Sequence, residues 1–141
     1  VRLTRRYHFS ASHRLHSPRL SAERNRAVYG KCNNPYGHGH DYVLAVSVRG
    51  PVDERTGLVV NLRELDLLVE RLVLRDFANR NMNAEIPVFA QAPPTTENVA
   101  REIERRLAGG WRAAFPGGVP SLEKIRVDET RKNTIELILG K

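Results

Sequence analysis

Two alternating stretches, Leu3 to His13 and His38 to Val48, both put histidine on the apolar side of a strand, and this most restricts what the chain can fold into. In the first, Leu3, Tyr7, Phe9 and Ala11 alternate with Arg2, Thr4, Arg6, His8 and Ser10, and His13 continues the apolar parity. Residues two apart on an extended chain share a face, so a half-buried strand is predicted. In the second, Tyr42, Leu44, Val46 and Val48 form the apolar set, and His38 and His40 fall on it. A bare His-x-His also suits histidines satisfied by hydrogen bonds. His13 as a third donor shifts the reading, because three imidazoles turned to a covered face are costly unless a shared partner satisfies them. A divalent metal is such a partner. Three neutral imidazoles with one open position describe a catalytic zinc better than a structural one.

Two amphipathic helices follow. The first is predicted to start after Asn61, an N-cap with Glu64 three residues on, and carries Leu62, Leu65, Val69 and Leu72 on one stripe. The second is predicted to start near Thr95 or Thr96, after Pro93-Pro94, with Val99, Ile103 and Leu107 as its buried face. Gly109-Gly110 and Pro116-Gly117-Gly118 mark the stretch from Leu107 to Ser121 as a loop. Two last strands, about Leu122 to Asp128 and Asn133 to Leu139, are joined by a turn through Thr130, Arg131 and Lys132. The predicted order is ββααββ. It gives an α+β fold in which two helices cover one face of a four-stranded antiparallel sheet, with the metal near one end.

The chain has 141 residues, which predicts a single domain, 1–141, with a real core. One cysteine cannot form an internal disulfide, which fits a reducing, cytoplasmic setting. No apolar stretch approaches the length of a transmembrane helix, and the N-terminus reads as a strand rather than a signal peptide, so no membrane partner is expected. The net charge of +7 suits nucleic acid, a polyphosphate substrate or no particular partner. No RNA-binding aromatic signature or long basic run accompanies it, so no nucleic-acid partner is expected.

Arg14 to Gly37 is the least regular segment and lies between the first histidine and the second pair. Long loops inside compact domains tend to be functional or disordered, and a metal holding both ends favours function. Cys32 lies on it. It is read either as a small hydrophobe or as a thiol beside Lys31 and the metal, able to act as nucleophile or general base.

The segments FSASHRL, YGKCNNPYGHGHDY, TGLVVNL, PTTENVA and VDET, in this order and spacing, resemble the 6-pyruvoyl-tetrahydropterin synthases over nearly the whole chain. With five residues between Cys32 and His38, the chain resembles the biopterin-pathway branch more than the carboxytetrahydropterin synthases of queuosine synthesis. The resemblance implies the tunnelling fold, in which three subunits close their sheets into a barrel, two trimers stack into a homohexamer, and active sites lie at subunit interfaces. It also implies conversion of 7,8-dihydroneopterin triphosphate to 6-pyruvoyl-tetrahydropterin, a lyase reaction with loss of triphosphate. On it, zinc is held by His13, His38 and His40, Cys32 removes a proton, Glu129 anchors the pterin, and Thr95 and Thr96 line the pterin pocket. Glu129 shares parity with Ile125 and Val127, so it can point inward. Thr95 and Thr96 read equally well as helix caps.

The chain departs from the family at one place. Members carry an Asp-His pair after the first helix that works with the cysteine, and here the matching positions are Ala78 and Asn79. Asparagine can hold a hydrogen bond but cannot relay a proton. Weakened turnover is therefore expected. A related pterin activity, and a zinc-containing pterin-binding protein without turnover, are the alternative readings.

Overall fold

The structure is a computed structural model and describes residues 1–139. The elements are β1 (Arg2–His13), α1 (Ala22–Tyr29), β2 (His38–Arg49), α2 (Leu62–Val69), α3 (Arg75–Phe77), β3 (Arg80–Asn81), α4 (Met82–Glu85), α5 (Thr96–Ala114), β4 (Ser121–Asp128) and β5 (Thr134–Ile138). They form an α+β fold around one sheet of order β3-β1-β2-β4-β5. The expectation of four antiparallel strands in the order ββααββ is corrected here, because the sheet has five strands and is mixed. Four of them, β1, β2, β4 and β5, run antiparallel to their neighbours, while β3 adds a parallel pair at Ala11 and Ser12.

The two long strands behave as their alternation requires. β1 pairs with β2 from Arg2↔Arg49 to His13↔His38, and Phe9, Tyr42, Leu44, Val46 and Val48 enter the core. Arg5 falls on the covered parity too, and its charge is met there. Asp66 on α2 accepts from Arg5 Nε at 2.7 Å, from Arg5 Nη2 at 2.8 Å and from the Tyr7 hydroxyl at 2.7 Å.

Helix α2 starts as expected, with the Asn61 side chain accepting from the Glu64 N–H, and its Leu65, Leu68 and Val69 are buried. It runs through a π-helical turn, Glu70–Leu74, into α3. Helix α5 is capped by Thr95, and Val99, Ile103 and Leu107 are fully buried. It does not stop at Gly109-Gly110 but continues to Ala114. A Cβ at Gly110 would stand 2.6 Å from Leu72 Cδ1, so this glycine lets two helices approach rather than ending one.

The segment predicted as a long loop contains α1, whose Ser21 cap accepts from the Arg24 N–H. Its one buried residue is Asn25. That carboxamide accepts from the Ser17 N–H at 2.7 Å and donates to the carbonyls of Ser17, Leu20 and Ser21. Among the described residues, no helix is long and apolar enough to cross a membrane.

Candidate active site

His13 ends β1 and His38 opens β2, and the register pairs them directly. His40, two residues along, returns to the same face opposite Ala11. The three rings meet with centroids 4.7 to 5.1 Å apart. Entry into β2 depends on Gly37, whose φ is +71° and whose missing Cβ would stand 2.8 Å from the His13 carbonyl oxygen. Both conditions exclude a side chain.

The ring nitrogens have defined roles. His13 Nδ1 lies 2.9 Å from the Pro94 carbonyl oxygen, which can only accept, so the proton is on Nδ1 and the Nε2 lone pair is bare. That Nε2 stands 3.2 Å from His38 Nε2 and 3.4 Å from Glu129 Oε1. His40 Nε2 is 3.0 Å from the same carboxylate oxygen, yet the two are not aligned as a hydrogen bond and the buried nitrogen has no partner. Burial holds His13 and His40 below the ordinary histidine range, so both rings stay neutral, the form that ligates a metal.

Glu129 follows β4 on the inward parity and is buried. Its backbone N–H donates to Asn133 at 3.1 Å, and its Oε2 accepts from the buried Thr96 hydroxyl. Thr95 is separate in role, because its oxygen caps α5 through the Asn98 N–H at 3.2 Å.

Cys32 lies in the 3-10 turn Gly30–Asn33. Its sulfur and nitrogens of His13 and His38 lie within 4.8 Å of one another, as do donor atoms of His13, His40 and Glu129. Burial, and then the nearby Glu129 charge, push the thiol above its ordinary value. The donors thus form two overlapping triads that share His13, and the orphaned His40 nitrogen fits a cation that the imidazoles hold in common.

Ala78 packs on the edge of the core, and Asn79 has a positive φ of 60° with its N–H donating to the Ser10 carbonyl at 2.6 Å. Asn79 shares a cleft with Ser10, His40 and Asp41. The Pro94 carbonyl that orients His13 leaves no mark in the sequence, since any residue supplies a carbonyl.

The family model described as 6-pyruvoyl tetrahydropterin synthase matches residues 2–138. The chain belongs to that family. The 6-pyruvoyl tetrahydrobiopterin synthase of Drosophila melanogaster is 50% identical over 94% of this chain and 76% of its own. The human protein of that name is 42% identical over 96% and 89% respectively. A solved structure of Caenorhabditis elegans 6-pyruvoyl tetrahydropterin synthase, 37% identical, matches with a TM-score of 0.87 over 99% of this chain and 96% of its own.

Proposed function

We propose that the chain is a zinc-dependent lyase that converts 7,8-dihydroneopterin triphosphate to 6-pyruvoyl-tetrahydropterin with release of triphosphate. The reading rests on one observation above others. A buried carboxylate, Glu129, is fixed by Thr96 at the edge of a three-histidine cluster that also touches the only thiol. A pterin's amino group and adjacent ring N–H suit a carboxylate that presents two oxygens. A ring anchored there carries its side chain toward the histidines.

His13, His38 and His40 are the residues that would hold the metal, with Pro94 fixing the first ring. Zinc bound there supplies Lewis acidity to the side-chain hydroxyls and so eases removal of the neighbouring protons. Cys32 accepts such a proton in its thiolate form. Burial, and then the Glu129 charge, oppose that form in the bare protein. With Ala78 and Asn79 in place of the family's Asp-His pair, no group hands the proton onward, and turnover is slow. This departure favours the second reading, a zinc-containing pterin-binding protein without turnover.

The finer architecture is read in the same way. The four long strands form the tunnelling-fold core, and three chains close into a barrel that stacks into a hexamer. Product analysis after incubation with 7,8-dihydroneopterin triphosphate tests the function. Triphosphate with a 6-pyruvoyl product supports the lyase. A cleaved side chain would point to a related pterin activity, and bound but unchanged substrate to the binding protein.

A further inference from the structure

His13 is the donor that the two triads share, and each of its tautomers has partners within reach. With the proton on Nδ1, the Pro94 carbonyl accepts at 2.9 Å and Nε2 is bare for a cation. With the proton on Nε2, the Tyr42 hydroxyl, 3.5 Å from Nδ1, can donate to that nitrogen instead. The Nε2 proton would then face His38 Nε2 at 3.2 Å and Glu129 Oε1 at 3.4 Å. Tyr42 is fully buried, so its hydroxyl has no water to turn to. The second tautomer closes the very nitrogen that a metal needs. Whatever keeps the Pro94 oxygen on His13 therefore decides whether this ring can ligate.

Three features direct that oxygen. The proline ring fixes φ at residue 94. The Thr95 N–H donates to the Pro93 carbonyl at 2.8 Å, which closes a three-residue turn over Pro94 and restrains its ψ as well. Asn98 takes hold of the same Pro93 carbonyl, its Nδ2 donating at 2.8 Å. Because that carbonyl can only accept, the orientation of the Asn98 amide is fixed. Asn98 is seated in the first turn of α5, where its own N–H donates to the Thr95 hydroxyl at 3.2 Å. The turn is thus tied to the helix that follows it. Of the three restraints, Asn98 alone is a side chain that can be exchanged without changing the backbone of the turn.

We infer that Asn98 is a positioning residue for the metal centre, its carboxamide holding the Pro93–Thr95 turn so that the Pro94 carbonyl, rather than the Tyr42 hydroxyl, engages His13 Nδ1. This rests on the proposed metal reading for its consequence, while the tautomer it sets does not depend on a metal. Partners of a ligating histidine fix its tautomer and orientation, and here the partner is main chain, so the restraint passes one residue further out.

Two measurements on the full chain test this. Competition with a chelator gives zinc affinity, and nitrogen-15 spectra of histidine-labelled, zinc-stripped protein give the His13 tautomer. Asn98→Ala should weaken zinc binding about tenfold, the lower end of the range for such outer partners, and should populate the Nε2-protonated ring. Asn98→Asp keeps the size and removes the donor, and a carboxylate in the first turn favours the helix. It should therefore show the same two changes without a lower urea midpoint. Adding Tyr42→Phe to Asn98→Ala removes the competing hydroxyl and should return most of the lost affinity. Asn61→Ala removes the cap of α2, away from the histidines, and should lower the urea midpoint while leaving zinc affinity as it was. An unchanged His13 tautomer in both Asn98 variants, no recovery with Tyr42→Phe, or an equal zinc loss in Asn61→Ala would each overturn the role. If the unaltered protein binds no zinc but the tautomer shifts as expected, the positioning role stands and the metal reading falls.

Discussion

His13 and His38 face each other across the β1–β2 register with their Nε2 atoms 3.2 Å apart. With the His13 proton committed to Pro94, two ring nitrogens at this distance either share one proton or share a cation. Two nitrogens on a tetrahedral zinc at about 2.0–2.1 Å stand roughly 3.3 Å apart, which is close to what the register delivers. We expect about one zinc per chain, with most of it lost in His38→Ala and in His40→Ala. Metal analysis of the purified variants decides this, and unchanged zinc content would remove the assignment.

Glu129 stands beside the same nitrogens, so its role needs separating from theirs. As a pterin anchor, Glu129→Gln should weaken pterin binding by about 1.5–3 kcal/mol through loss of charge-assisted hydrogen bonds. Zinc content should not change, because the three imidazoles remain. Calorimetry with biopterin on the zinc-loaded variant is the direct measurement. Loss of zinc with unchanged pterin affinity would make Glu129 a metal ligand instead.

Restoring Ala78→Asp together with Asn79→His should raise triphosphate release at least about tenfold, since a positioned acid–base group is worth about 10²–10⁴-fold. Pterin affinity should stay nearly constant. The backbone does not stand in the way, because histidine, like asparagine, is comparatively tolerant of the positive φ found at Asn79. Both changes are needed, as histidine without its carboxylate has no fixed tautomer. Rapid turnover by the unaltered chain, with no gain from the pair, would mean that another base has taken over.

Glu102 offers a stability test far from the chemistry. It is buried on α5 and accepts from Arg105 at 2.7 and 2.8 Å and from Arg106 at 2.7 Å. Arg106 also reaches Asp76 and the Leu72 carbonyl, tying α5 to the helix beside it. The Arg105 hydrogen bonds, followed by those of Arg106, hold the Glu102 carboxyl below its ordinary value. A depressed folded pKa contributes stability above the unfolded value and loses it as pH falls through the folded one. Glu102→Gln should therefore cost about 1–2 kcal/mol at neutral pH, a modest figure because Arg105 is exposed. The difference should shrink below about pH 4. Urea midpoints measured at both pH values test the sign.

Both sheet margins offer unpaired backbone. Among the described residues, β3 covers β1 only at Ala11 and Ser12, and β5 has β4 on one side alone. Open margins of this kind favour pairing between chains. Sedimentation should give a trimer or hexamer, and a monodisperse monomer at micromolar concentration would contradict an active site shared between subunits.

The histidine cluster was legible in the sequence because a period of two assigns a face without knowledge of the partner strand, and Asn61 and Thr95 were legible because capping is local. Where the physics is not periodic, the sequence is silent. Helix α1 has no apolar stripe, since it is organised around the Asn25 carboxamide. Gly109-Gly110 resembles a break because the reason for Gly110 is Leu72, which is distant in sequence. β3 is two residues long, too short to carry any pattern. The parity of Glu129 shows that it turns inward, but not that His13 and His40 are its neighbours.

Gly37 donates nothing to the cluster, yet its bare α-carbon is what lets the chain pass the His13 carbonyl on its way to His38. The set of positions whose variation would abolish the centre is therefore larger than the set of donors. A descendant could keep every histidine, the cysteine and the glutamate and still lose the centre through one added methyl group. Its inventory of ligands would give no sign of the loss.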